Sequence, residues 1–138
     1  MLTSTTQLIT DLITAWNNHD VETIAAFYAP DYQGVDVAYA TPRQGRADMS
    51  QTMSRYLLAF PDMHFTVEEL VVQDNRAALA WIGRGTHQGK MMNIPPTGRV
   101  VEVRGSSFFT VVNGQITHSL HIWDVAGALR GIGLLPEL

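Results

Sequence analysis

The hydrophobic period of this chain changes once, at Pro61, and that change limits the folds open to it. Before Pro61 apolar residues recur every three or four positions, as on helix faces. After it they alternate, as on half-buried strands. Helices first and strands afterwards make an α+β domain, with the helices gathered on one face of a curved antiparallel sheet. The 138 residues suffice for one such domain, spanning the chain.

The pattern predicts a first helix from Ser4 to Asn18, with Leu8, Ile9, Leu12, Ile13 and Trp16 on its inner side. Asp20 is a good N-cap for a short second helix carrying Val21, Ile24, Ala25 and Tyr28, which Pro30 stops. Residues Tyr32 to Tyr39 read as an irregular strand or loop, and Pro42 and Gly45 as a turn. A third helix runs from Arg46 to Ala59, with Met49, Met53, Tyr56, Leu57 and Phe60 turned inward. Strands follow at Met63–Val72, Ala77–His87, Val100–Val112 and Ile116–Trp123, and a slip at Glu68-Glu69 suggests a bulge. Asn113-Gly114 is a hairpin turn, and Asp124 caps a last helical turn. A sheet curling over helices leaves a conical cavity between them.

Composition excludes several classes of function. There is no cysteine, so disulfides, thiolate metal sites and cysteine nucleophiles are ruled out. The net charge is −4 and the nine Lys and Arg are scattered, which argues against nucleic acid as a partner. No apolar stretch approaches the roughly 20 residues of a membrane helix. No basic segment leads into an apolar run near the start, so a cytoplasmic protein is expected. His118 and His121 are three apart on a strand and point to opposite faces, and no His-Glu-x-x-His motif is present, so no metal is expected. A Gly-x-Ser-x-Gly elbow and a phosphate-binding glycine loop are also missing.

Four segments carry a resemblance. They are Ala15-Trp16-Asn17-Asn18-His19-Asp20 with Tyr28-Ala29-Pro30-Asp31-Tyr32, then Ala59-Phe60-Pro61-Asp62, then Gly85-Thr86-His87-Gln88-Gly89 running to Ile94-Pro95-Pro96-Thr97-Gly98-Arg99, and Asn113-Gly114-Gln115-Ile116 with Trp123-Asp124 and Gly127 to Gly133. In this order they resemble the SnoaL-like polyketide cyclase family of the nuclear transport factor 2-like superfamily. The resemblance implies an α+β conical barrel, a homodimer or higher oligomer, an apolar pocket for a small molecule, and no cofactor. It also implies acid/base ring closure by aldol condensation. The family's acid/base carboxylate falls at the position that is His121 here, and its strand histidine at Ser107. Both polar positions are changed, so the family's mechanism does not transfer unaltered.

The hairpin decides which residues face the cavity. A two-residue turn pairs Val112 with Gln115 and sets His121 opposite Ser106; a three-residue loop pairs Val111 with Gln115 and sets Ser107 opposite Ser119. The second puts Val101, Val103, Gly105, Ser107, Phe109, Ser119, His121 and Trp123 on one face, and the resemblance favours it because the family's catalytic positions share that face. The opposite face, with Phe108, Val112, Ile116, His118, Leu120 and Ile122, is too apolar for solvent and is expected to bury itself in a symmetric dimer.

His121 is then the candidate base, since imidazole exchanges protons near neutral pH. Asp36 would orient it, and Ser107, with His87, would hold a developing enolate oxygen. The alternative for His121 is a core histidine bonded to Ser107 or a water, and for His87 an anchor of the long loop. Trp81, Phe109, Trp123, Ser119 and Tyr56 are expected to line the site. His19 and His64 are read as surface residues. Three functions compete: a cofactor-free cyclase or isomerase of a small apolar carbonyl compound, a small-molecule binder without chemistry, and an epoxide-opening hydrolase or cyclase.

Overall fold

The computed structural model describes residues 4–137. Helix α1 (Thr5–Asn17) starts where the Ser4 side chain accepts the backbone N–H of Gln7, and it buries Leu8, Ile9, Leu12 and Ala15. Its last residue is fixed to the sheet: the Asn17 amide donates to Phe65 O at 3.0 Å and accepts from Phe65 N at 2.8 Å. Helix α2 (Val21–Ala26) is capped by Asp20 and buries Ile24.

The second helix ends earlier than its periodicity suggests. Tyr28 is the first residue of strand β1 (Tyr28–Asp36), not the last of the helix face. Proline disfavours helical backbone one residue upstream of itself, at Ala29. The chain is also captured by the far strand, with Ile116 N donating to Phe27 O at 2.7 Å. The pairing of β1 slips between Tyr28 and Gln33, around Pro30, which has no N–H to give a ladder.

A two-residue strand β2 (Arg43–Gln44) and helix α3 (Gly45–Ala59) follow, then β3 (His64–Gln73), β4 (Arg76–Thr86), β5 (Val100–Val112), β6 (Gln115–Trp123) and the short helix α4 (Val125–Gly131). The six strands form one curved, unclosed sheet in the order β2-β1-β6-β5-β4-β3. Strands β3 to β6 are the expected antiparallel meander, and β1 adds to β6 in parallel. The bulge at Glu68 is present, and Glu68 pairs at 3.3 Å with Arg104 on the outer surface.

The hairpin takes the two-residue turn, and the ladder beyond it takes neither of the two registers expected. Asn113 and Gly114 have φ of 52° and 76°, as a two-residue turn of mirror-image type requires, and Val112 pairs with Gln115. The ladder then shifts after Val111–Ile116, so that Thr110 pairs with His118 and Ser107 with His121. The extra residue moves the register two places from the three-residue reading, and a shift of two keeps every later side chain on its face. The inward set therefore stands, with different partners. Ile116 is the exception. It lies before the shift, faces inward and is fully buried, whereas Phe108 and Ile122 on the outer face are 42% and 46% exposed.

Two clusters make the interior. Leu8, Ile9, Leu12, Ile24, Met49, Met53, Leu79, Phe109, Val111 and Ile116 join the first three helices to the sheet. Phe60, Met91, Val101, Ala128 and Ile132 join α4 and the loop after β4 to the other end of it. The gap between these clusters positions the site.

Candidate active site

A cavity of about 150 Å³ occupies that gap, its wall drawn from both clusters: Leu12, Met49, Leu79 and Phe109 from one, Phe60, Met91 and Val101 from the other. Trp16, Trp81 and Trp123 also line it, and its polar edges include Asp36, Tyr56, Ser107 and His121. The sheet sets these in rows. Leu79, Ser107, His121 and Asp36 are successive partners across β4, β5, β6 and β1. Trp81, Gly105 and Trp123 are partners in a second row. Two separate polar groups result.

The first is built on Asp36, at the end of β1 and 6% exposed. Its Oδ1 accepts from Ala38 N at 2.9 Å and Trp123 Nε1 at 2.8 Å. Its Oδ2 accepts from the Tyr56 hydroxyl at 2.9 Å and Arg43 Nη2 at 3.3 Å. Arg43 is itself buried, and its Nε donates to Thr52 on α3 at 2.8 Å. Four donors, one of them the Arg43 cation, satisfy the buried carboxylate. Burial first, and then the negative charge of Asp36, raise the pKa of Tyr56, so its hydroxyl keeps its proton.

The second group is neutral. Trp81 Nε1 donates to Ser107 Oγ at 2.9 Å, and Ser107 Oγ lies 2.7 Å from His121 Nδ1. His121 Nε2 lies 3.1 Å from Ser119 Oγ, which bonds in turn to the Tyr32 hydroxyl. Burial lowers the pKa of His121 to about 4, against the upward pull of Asp36 and with a further push down from Arg43, so the ring is uncharged at neutral pH. Phe109 meets the imidazole edge to face, with centroids 5.8 Å apart.

The second group depends on two glycines. A Cβ on Gly105 would come within 2.4 Å of the Trp81 ring, and one on Gly34 within 1.9 Å of the Tyr32 oxygen. Each aromatic ring lies across the backbone that the missing side chain leaves bare.

The structure thus brings together seven of the nine residues expected at the site: His121, Asp36, Ser107, Trp81, Phe109, Trp123 and Tyr56 line one cavity. Asp36 makes no hydrogen bond to His121, because its oxygens are taken by other donors. Ser119 stands behind His121 rather than in the wall. His87 is fully buried outside the lining. Its Nδ1 accepts from Thr97 N at 3.3 Å and lies 3.1 Å from Thr97 Oγ1, holding the loop. Arg43 and Tyr32 escaped the sequence reading. A signal existed for Tyr32, since Tyr32, Gly34 and Asp36 alternate along one strand and must share a face. Among the described residues no three His, Asp or Glu side chains converge as metal ligands would.

Helices backed onto an open curved sheet, with the cavity between, define a nuclear transport factor 2-like fold. A protein from Catenulispora acidiphila with a ketosteroid isomerase-like fold superposes at a TM-score of 0.78 over 93% of each chain, with 17% identity. The chain belongs to the SnoaL-like polyketide cyclase family, whose model matches residues 6–132. Among solved structures, AclR of Streptomyces galilaeus, a candidate hydroxylase, is 27% identical, with a TM-score of 0.87 over 97% of this chain and 83% of that one. Wild-type IdmH of Streptomyces antibioticus, a candidate polyketide cyclase, is 29% identical, with a TM-score of 0.82 over 95% of this chain and 99% of that one. No curated protein matches the chain. Among the described residues no helix is long and apolar enough to cross a membrane.

Proposed function

We propose that the protein is a cofactor-free proton-transfer catalyst, of the cyclase or isomerase type, acting on a small apolar carbonyl compound. One observation carries this reading: a carboxylate and a neutral hydroxyl–imidazole pair face the same cavity from adjacent strands, amid aromatic and aliphatic walls. Family membership supports it.

The roles of the two titratable groups differ from those expected. Both His121 nitrogens are occupied and protonation of the ring is disfavoured, so His121 does not take the proton. Asp36 does. Its Oδ2 accepts once the 3.3 Å contact to Arg43, the longest of its four, gives way. The acidic C–H bond breaks, its electron pair moves onto the carbonyl oxygen, and the proton rests on Asp36. Ser107 donates to the enolate oxygen. In ring closure the enolate carbon then bonds to a second carbonyl carbon of the same molecule, whose oxygen receives the proton from Asp36. In isomerisation the proton returns to another carbon. An apolar cavity of about 150 Å³ admits benzene, which favours a substrate with the bulk of about one ring.

The fourfold coordination of Asp36 favours a second reading, a binder that performs no chemistry. Deuterium uptake from heavy water into acetophenone and its ring-substituted analogues separates the two. Catalysed exchange is expected, falling about 100-fold or more in Asp36→Asn and about tenfold in Ser107→Ala. Binding of these ketones without exchange beyond buffer would establish the binder.

A further inference from the structure

The hydrogens of the Ser107 group do not divide evenly among its contacts. Trp81, Ser107, neutral His121, Ser119 and Tyr32 each carry one side-chain N–H or O–H hydrogen, which makes about five donors by side-chain type. They meet in only four contacts: Trp81–Ser107, Ser107–His121, His121–Ser119 and Ser119–Tyr32. A contact uses one hydrogen, so one is left over. The indole hydrogen is fixed, so the surplus falls on Ser107, Ser119 or Tyr32.

All three are buried, Ser107 included, so access to the cavity decides which. Tyr32 is fully buried, Ser119 nearly so, and neither has a further hydrogen-bond partner among the described residues. A hydroxyl hydrogen stranded there loses its hydration with no return, at about 1–3 kcal/mol. Ser107 alone of the three lines the cavity. The lowest-cost arrangement therefore runs one way: Tyr32 donates to Ser119, Ser119 to His121 Nε2, and His121 Nδ1–H to Ser107.

We propose that Tyr32, Ser119 and His121 form a directed hydrogen-bond chain that fixes the His121 proton on Nδ1 and turns the Ser107 hydroxyl hydrogen into the cavity, making a subsite for a carbonyl or enolate oxygen. Tyr32 and Ser119 are positioning residues, since neither lines the cavity. As charge grows on a bound oxygen, the bonds behind Ser107 polarise in concert, with no proton leaving the chain. The inference deepens the proposed function by naming what the site selects, an oxygen acceptor. The direction of the chain, however, is measurable without turnover.

The test is the tautomer of His121, read from nitrogen and carbon chemical shifts of the full protein labelled at histidine, near neutral pH and without ligand. A ring protonated on Nδ1 is expected; one protonated on Nε2, or an even mixture, overturns the proposal. Ser119→Ala removes the donor to Nε2 while sparing the cavity wall, and the Nε2 shift is expected to move toward that of an unbonded ring nitrogen with the proton still on Nδ1. An unmoved Nε2 shift in that variant would show that Ser119 does not donate to it and overturns the chain. The subsite is probed with acetophenone and α-methylstyrene, which differ by C=O against C=CH₂. About a tenfold preference for the ketone is expected, as for one hydrogen bond, and it should vanish in Ser107→Ala. A preference below about twofold in the unaltered protein overturns the donor role. If the tautomer and the preference hold but exchange into acetophenone fails, the catalytic reading falls and the oxygen subsite stands.

Discussion

The two polar groups of the cavity solve opposite problems. Around Asp36 four donors fill both oxygens of a buried carboxylate, with Arg43 as counter-ion. Around Ser107 everything is neutral and one hydrogen remains to be given away. An indole closes each group from the same side of the sheet, Trp123 on Asp36 and Trp81 on Ser107, with Gly105 between them in the row. The contrast teaches that a buried charge is held by saturation, whereas a buried neutral chain is held by direction. The first should resist disruption strongly and the second weakly.

Removing the charge gives the largest expected effect. Asp36→Ala leaves the Arg43 Nη2, the Tyr56 hydroxyl and the Trp123 N–H without their acceptor, and the buried Arg43 without its counter-ion. Breaking one side of a buried pair costs about 3–5 kcal/mol, to be read from urea unfolding. Adding Arg43→Met should recover part of that loss. If Asp36→Ala costs no more than Ser107→Ala, the two groups do not differ in kind.

Acid sharpens the comparison next. The folded pKa of His121 is about 4, against an ordinary 6.5, so between these values the unfolded chain binds a proton that the folded chain refuses. Stability then rises with pH across that window and is lost as pH falls through it, by about 3 kcal/mol in all. The groups facing the ring are Asp36 and Arg43, with Ser107, Ser119 and Phe109 in contact. Unfolding free energies at pH 7 and pH 4.5 should differ less in His121→Gln than in the unaltered protein.

Gly105→Ala is smaller in effect and tests the shared row. Its methyl would displace the Trp81 ring and crowd Trp123, costing about 1–3 kcal/mol as overpacking does, with a changed indole fluorescence as the local sign. Ser107→Ala is of the same order, at about 1–3 kcal/mol by thermal unfolding, since it leaves the Trp81 N–H without its acceptor.

Much of this architecture can be read from the chain. The period change at Pro61, the caps Ser4 and Asp20 and the Asn113-Gly114 turn all act over a few residues, and they stand where local chemistry puts them. The inward face of β5 was legible for a less direct reason: a three-residue loop and a two-residue turn followed by a bulge both flip parity once. Ile116 shows the cost of that coincidence, since it sits between turn and bulge and takes the other face. Asp36 was expected beside His121, but the strand pairing that sets them there was not legible. It is a parallel pairing of strands far apart in sequence, which no local pattern encodes. Arg43 was hidden too, because an arginine beside Pro42 in a turn has the look of a solvated residue until Asp36 is placed against it.

Gly34 carries a consequence for anyone who alters this protein by selection. It does not line the cavity and sits under the Tyr32 hydroxyl, the far end of the chain from any ligand. Libraries focused on pocket-lining codons would leave it untouched, and a screen for thermal tolerance would score it as ordinary core. Yet even alanine there must push the phenol off Ser119. Position 34 would then tune which functional group the pocket prefers, from a codon that an active-site library would leave out.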